Sequence, residues 1–184
     1  AGTPSNNILT STDGLAWTST ATTAQKLLGV AWNGSLWVGV GEGIYSSPNG
    51  VTWTAASLDG APVPSSFRGA SVAWNGRIWA AVSQDRLLCW SHNGSVWTSI
   101  PIPYLGIPTA IAWNGVKWAI TGVDGTTSVV TLPTGLFAFV PGSGVPTKLY
   151  GIVWDGLNWV ASAGDTGTDY DIYTSQDGVT WTPR

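Results

Sequence analysis

One stretch decides the fold: Gly29-Val30-Ala31-Trp32-Asn33-Gly34-Ser35-Leu36-Trp37-Val38. Close copies surround Asn75-Gly76, Asn114-Gly115 and Asp155-Gly156, and each copy keeps a tryptophan on both sides of its Asx-Gly pair. The copies recur with a period of about forty residues, which is typical of repeat architectures. The chain is therefore built from related units.

A second element alternates with the first. It is clearest from Ile44 to Thr54, where Asn49-Gly50 precedes Trp53. Its other copies run from residues 8 to 18, 88 to 98 and 172 to 182, with a degenerate copy at 129 to 138. The sequence thus holds four copies of the first element and five of the second.

Both elements are predicted to be β-hairpins. Asn-Gly and Asp-Gly favour the two-residue type I′ turn, and the flanking Val, Ile, Thr, Tyr and Trp favour strands. In the first copy such a turn would pair Trp32 with Ser35 and Val30 with Trp37. No segment has helical periodicity over a useful length, so we expect an all-β protein.

Two hairpins per repeat make a four-stranded antiparallel sheet, the unit of a β-propeller blade. We expect one domain over 1–184, with an extra hairpin at 1–20 and repeats at about 27–60, 67–104, 106–142 and 148–184. The expected fold is a small β-propeller of about four blades plus that N-terminal hairpin. A five-bladed ring lacking the inner two strands of one blade is the alternative. The extra hairpin would cap an edge or pair with a neighbouring subunit by strand addition.

The second element resembles the Asp-box of sialidase-type β-propellers, which reads Ser/Thr-x-Asp-x-Gly-x-x-Trp. Residues 11 to 17 (STDGLAW) and 175 to 181 (SQDGVTW) carry it, although Asp and Gly are adjacent here, and Asn49 and Asn93 replace the Asp elsewhere. In that family the box is structural, so the resemblance implies that Asp13 and Asp177 hold turns and are not catalytic. The repeats also resemble those of Trp-rich propeller lectins and of repeat proteins on bacterial and viral surfaces.

Low charge excludes several functions. Charged residues make up 9% of the chain, against a typical ~25%. No basic run could neutralise a phosphate backbone, so we expect no nucleic-acid partner. No apolar stretch approaches the ~18–20 residues of a membrane span, so we expect no membrane insertion. No signal peptide is recognisable, and a start at Ala1 fits a processed or trimmed product.

The sequence also lacks most parts of a hydrolase. A sialidase-like enzyme needs three arginines around one carboxylate, an acid/base Asp and a Tyr–Glu pair. The arginines are Arg68, Arg77, Arg86 and Arg184, and Glu42 is the only glutamate. One His and one Cys leave metal hydrolysis and nucleophilic triads incomplete. We therefore expect no enzymatic activity, and a sialidase-like glycoside hydrolase is the least favoured alternative.

One segment departs from its sister copies in chemical character. Within residues 85 to 93, Trp90 and His92 replace smaller residues, beside Asp85 and Arg86. An aromatic face with polar neighbours suits a sugar, so we predict a ligand site made of these four residues. The alternative is that Trp90 only fills space between sheets.

A metal site and a thiol complete the candidates. Asp165, Asp169 and Asp171 could gather oxygen ligands for Ca²⁺, or could simply be a solvated acidic loop. No other cofactor is expected. Cys89 has no internal disulfide partner. It is predicted to be a buried small hydrophobe, with an intermolecular bridge as the alternative.

Loop lengths point to a binding rim. The turns within hairpins keep their length, whereas the links between hairpins vary, and variable loops are where binding usually resides. We expect a non-catalytic recognition module that binds glycans, like a lectin, through this variable-loop rim. The alternative is a structural subunit of an extracellular filament or virion surface assembly. Both place the protein outside the cell or on a cell or virion surface, with a surface poor in charge and covered by neighbours or glycans.

Overall fold

The structure is a computed structural model that describes residues 7–22, 24–103, 105–131, 138–141, 148–164 and 172–184. Every regular element in these ranges is a β-strand, which confirms the all-β prediction. The strands form one two-stranded sheet and four larger sheets. Within the same ranges, no helix has the length and apolar character needed to cross a membrane.

The strands follow the predicted hairpin order. The N-terminal hairpin contains β1 (Asn7–Thr10) and β2 (Thr18–Ala21). The first sheet contains β3 (Leu27–Trp32), β4 (Trp37–Gly41), β5 (Gly43–Ser47) and β6 (Thr54–Ala55), in that order. Two short strands follow it, β7 (Ser57–Leu58) and β8 (Ala61–Pro62).

The remaining sheets repeat the pattern. The second contains β9 (Gly69–Trp74), β10 (Trp79–Ser83), β11 (Leu87–Ser91) and β12 (Val96–Pro101), and it is extended by β7, which pairs parallel to β12. The third contains β13 (Pro108–Trp113), β14 (Trp118–Gly122), β15 (Thr127–Thr131) and β16 (Ala138–Pro141). The fourth contains β17 (Lys148–Trp154), β18 (Trp159–Gly164), β19 (Ile172–Ser175) and β20 (Thr182–Pro183).

The turns of the inner hairpins are longer than predicted. Trp32 pairs with Trp37, so the loop has four residues instead of the two of a type I′ turn, and the predicted Trp32–Ser35 pairing is wrong. The reason is the Asn33 side chain, whose Oδ1 accepts the N–H groups of Ser35 and Leu36 at 2.9 and 2.8 Å. This Asx turn needs a left-handed backbone only at Gly34, where φ is 101°. The other inner hairpins have the same Trp–Trp pairing.

The outer hairpins also have longer turns than predicted. In the first sheet, Ser46 pairs with Thr54, so seven residues from Ser47 to Trp53 form the loop.

The sheets stack in chain order through their first strands, β3, β9, β13 and β17. Three apolar clusters among the described residues fill the spaces between successive sheets. Val38 and Val40 of the first sheet, for example, meet Val72 and Trp79 of the second. One face of the first sheet and one face of the fourth therefore lie outside these three clusters.

Candidate functional site

Asx side chains hold the turns of the outer hairpins. After β5, Asn49 Oδ1 accepts the N–H groups of Val51 and Thr52 at 2.9 and 2.8 Å. Asp13 and Asp177 accept the corresponding N–H groups of their own turns at 2.8 to 2.9 Å. These backbone N–H groups lower the pKa of both carboxyls, that of Asp177 to about 2. Both side chains are therefore ionised turn acceptors.

The four residues predicted as a ligand site are not brought together. Asp85 and Arg86 lie in the turn before β11, whereas His92 follows β11 and lies about 20 Å away at the usual rise per residue. The Asp85 carboxylate accepts the backbone N–H of Arg68 at 3.1 Å and so holds its turn against the preceding loop. Trp90 is half-buried and packs against the cluster between the second and third sheets, as its space-filling alternative expects.

The arginines are also dispersed. Arg77 lies in the turn before β10 and Arg86 in the turn after it, so they occupy opposite ends of the second sheet. The Arg68 guanidinium donates to two carbonyl oxygens of its own loop, at 2.8 and 2.9 Å. These three residues do not surround a common carboxylate.

The calcium candidates Asp165, Asp169 and Asp171 lie outside the described residues. Across the ranges that are described, no three His, Cys, Asp or Glu side chains gather closely enough to hold a metal ion. Cys89 is buried with a free thiol, which confirms its prediction as a buried small residue. Burial raises the pKa of this thiol to about 12.

A large cleft lies between the β1–β2 hairpin and the first sheet. Its volume is about 1080 Å³. Leu9 and Trp17 line it from the hairpin, and Val30, Trp37 and Trp53 line it from the first sheet. It is thus an apolar, tryptophan-lined cleft that opens at the N-terminal end of the stack.

The repeats show that the walls of this cleft are uncovered core positions. Val30 is 56% exposed. The corresponding residue in each of the other inner hairpins, two positions before the first tryptophan, packs against the preceding sheet. These residues are Val72, Ile111 and Ile152, and they are 7%, 4% and 7% exposed. Among the described sheets, only the first of the four larger ones lacks a complete sheet before it.

Two tryptophan positions give the same result. Trp37 is half-buried, whereas its counterparts are fully buried: Trp79, Trp118 and Trp159. Trp17 is 59% exposed, whereas its counterparts are buried: Trp53, Trp97 and Trp181. Val30, Trp37 and Trp17 therefore present to the cleft surface that the repeat elsewhere buries.

The β1–β2 hairpin lies on the side of the first sheet where each other sheet has its predecessor. A Cβ placed on Gly178 of the fourth sheet would meet Val129 of β15, the third strand of the sheet before it. A Cβ on Gly50 of the first sheet would approach Thr10 of β1 in the same way, at 3.9 Å. Strand β1 thus approaches the first sheet as β15 approaches the fourth, whereas a Cβ on Gly94 of the second sheet would meet Val38 of β4, a second strand.

The far face of the fourth sheet is uncovered as well. Val153 is 59% exposed and Ile172 is also exposed. At the same repeat positions, Ala31 and Ile44 of the first sheet pack against the second sheet. Among the described residues, the stack of sheets therefore has an uncovered apolar face on its first sheet and another on its fourth.

The sequence did not predict the cleft. Val30, Trp17 and Trp37 belong to the same pattern as their buried counterparts, so residue type could not separate them. The available signal was the unequal number of inner and outer hairpins, which leaves one outer hairpin without an inner partner.

Comparison with known proteins gives information about the fold alone. No family model and no curated protein matches the chain. Among solved structures, the computationally designed Ika8 protein is similar with a TM-score of 0.64 at 13% identity, over 86% of this chain and 49% of that one. The computationally designed Ika4 protein has a TM-score of 0.64 at 16% identity, over 85% of this chain and 96% of that one. This chain thus spans about half the length of the first and nearly all of the second.

Proposed function

We propose that the four sheets are blades of a β-propeller and that β1–β2 is the outer half of a further blade. The side-by-side order of β3, β9, β13 and β17 supports the blade arrangement. The placement of β1 against Gly50 supports the position of the half blade. This is the five-bladed alternative of the sequence, with the inner two strands of one blade lacking.

We further propose that the chain is a non-catalytic recognition module that binds its ligand in the cleft. The observation that carries this is the joint exposure of Trp17, Val30 and Trp37 at positions the repeat buries elsewhere. An exposed apolar surface of this kind on a folded domain marks an interaction site.

Carbohydrate is the ligand class that the lining favours for a lectin-like function. The Trp17 indole donates to the Gly14 carbonyl oxygen at 3.2 Å, which fixes the ring at the cleft. The polar side chains of the lining are neutral apart from Lys26, and include Asn7, Thr18, Gln25 and Asn49. A fixed aromatic face with neutral donors and acceptors suits a sugar ring. The proposed glycan site is therefore the cleft rather than the variable-loop rim.

A glycan array probed with the full chain tests this proposal. We expect binding to a restricted set of glycans and its loss in Trp17→Ala. Leu15→Ala is the matched control, because Leu15 is strongly exposed in the same turn but does not line the cleft. Equal binding by the two variants would refute the cleft as the glycan site.

A structural subunit of a surface assembly is the second candidate. The observation that favours it is the open face of the fourth sheet, with Val153 and Ile172 exposed. Light scattering over a range of concentrations tests it. Particles that grow with concentration, and that Val153→Asp returns to the size of one chain, would support assembly. A constant single-chain size would refute it.

A further inference from the structure

We infer that the cleft binds a β-hairpin from a separate polypeptide. This hairpin carries an aliphatic residue and two tryptophans on one face. This inference shares with the proposed function only the location of the site. It adds a protein ligand that would compete with a glycan for the cleft, and the chemistry of that ligand follows from the walls and from the strand edge that border the cleft.

Both walls of the cleft lack the cover that the inner hairpin of a neighbouring sheet provides elsewhere in the repeat. Within the first sheet, Trp53 lies over its own second strand, so that a Cβ on Gly39 would lie 3.0 Å from the ring. Trp17 has the same place in its hairpin but has no second strand beneath it among the described residues. Val30, on the other wall, stands where Val72 packs against the sheet before it. One inner hairpin placed in the cleft would cover both Trp17 and Val30.

The edge of β1 opposite β2 also fits an added inner hairpin. The third strand of each four-stranded unit pairs on both edges, as β5 does with β4 and β6. In the described part of the chain, β1 pairs only with β2. Its second edge therefore offers backbone N–H and C=O groups for an added antiparallel strand.

The chain itself shows what sequence such a ligand has. In the inner hairpin of the second sheet, Val72, Trp74 and Trp79 surround the Asn75-Gly76 turn. Val72 and Trp79 belong to the cluster between the first and second sheets, and Trp74 packs against that cluster. The ligand is thus expected to read aliphatic-x-Trp-Asx-Gly-x-x-Trp, with no charge on its tryptophan face.

A second copy of this chain is not a suitable donor. Each of its four inner hairpins is already bonded to its own outer strands, through the pairs β4–β5, β10–β11, β14–β15 and β18–β19. Releasing one would expose the cluster that it covers. The inference concerns a hairpin supplied as a separate polypeptide, with no outer strands of its own.

A peptide of residues 69–83 (GASVAWNGRIWAAVS) provides the probe. Its ends are closed by a disulfide between two added cysteines, because an isolated hairpin is only marginally stable in water. The labelled cyclic peptide is titrated with the full chain and followed by fluorescence anisotropy. We expect saturable binding, and binding at least about tenfold weaker for the peptide with serine substituted for both tryptophans. This comparison uses only the wild-type chain and so does not depend on the folding of a variant.

Protein variants then locate the site. Val30→Lys places a charge on the cleft wall and should weaken peptide binding at least about tenfold. Leu15→Lys adds the same charge outside the cleft and should leave binding unchanged. Equal affinity of the two peptides, or equal affinity of the two variants, would overturn the inference.

The remaining outcomes separate this inference from its rivals. Glycan binding without peptide binding would overturn the hairpin and leave the recognition module intact. Absence of both would overturn both proposals. Self-association that the cyclic peptide blocks would identify a second copy as the occupant and would also overturn the separate donor.

Discussion

Val30→Ala and Val72→Ala are the same substitution at the same repeat position, yet we expect their effects on stability to differ. Val72 is 7% exposed in the cluster between the first and second sheets, whereas Val30 is 56% exposed at the cleft. Each change removes two methyl groups. Any difference between the two variants therefore measures how far each position is covered in solution.

The expected magnitudes follow from burial. Two methyl groups are worth about 1.5 kcal/mol when fully buried. Val72→Ala should lose nearly all of this and add a cavity term of about 1 kcal/mol, giving about 2.5 kcal/mol in total. Val30→Ala should lose less than half of the transfer term and leave no enclosed cavity, giving about 0.6 kcal/mol. At about 2–4 °C per kcal/mol for a domain of this size, Val72→Ala should lower the Tm by ~5–10 °C and Val30→Ala by ~1–2 °C.

Calorimetry and urea unfolding of the three proteins measure these values. The near-ultraviolet circular dichroism of each variant checks that the tryptophan packing is retained. Equal losses of stability in the two variants would refute the reasoning, because Val30 would then be as covered as Val72. The bound cyclic hairpin should raise the cost of Val30→Ala towards that of Val72→Ala.

Three further predictions concern the turns, the core and the thiol. Asp177 has a lowered pKa of about 2, so its ionised form stabilises the fold above about pH 4. Asp177→Asn should remove the loss of folding stability that protonation of Asp177 causes between about pH 4 and pH 2. Urea unfolding at each pH measures this loss, and an unchanged pH profile in the variant would contradict the prediction. Trp181→Phe should destabilise the fold by about 1 kcal/mol more than Trp159→Phe in thermal melts, because Trp181 Nε1 donates to Thr127 Oγ1 whereas the buried Trp159 Nε1 has no partner among the described residues. Cys89, buried and with a pKa of about 12, should react with a thiol reagent only on unfolding, and labelling of the native chain would contradict its burial.

The fold class could be predicted because the repeat supplies independent copies of one pattern. Strand residues recur at the same positions in each inner hairpin, and Asx-Gly marks each turn. A single copy would have been ambiguous, but four copies at a regular period make helix or disorder inconsistent with the sequence. The order of the hairpins then follows directly from the chain.

The register could not be predicted because side chains compete with the backbone in the turns. Asn33 was expected to adopt a type I′ backbone, but its side chain accepts two N–H groups and lengthens the loop. The first strand of each of the four larger sheets also has a bulge that residue type alone does not predict, as at Leu28 in β3 and Tyr150 in β17. Both features depend on hydrogen bonds that form only in the folded chain.

The four residues of the predicted ligand site are separated in space for a related reason. Asp85, Arg86, Trp90 and His92 are close in sequence, but an extended strand of five residues separates the first two from His92. Proximity in sequence is proximity in space only within a turn. In a β-protein, residues at the two ends of one strand face opposite rims.

The cleft could not be predicted because its residues are of the same types as the buried residues at the same repeat positions. Val30 and Val72 are both valines at one repeat position, and only the presence or absence of a neighbouring sheet distinguishes them. In a stacked repeat, a core pattern requires a neighbour on each face, and among the described residues the first and fourth sheets each have one apolar face without that cover. On these faces Val30, Trp37 and Val153 keep the apolar side chains of the repeat pattern. The retention of a core pattern on an uncovered face is therefore the physical reason to expect a partner, and at the cleft the adjacent edge of β1 supports our proposal of a pair of strands.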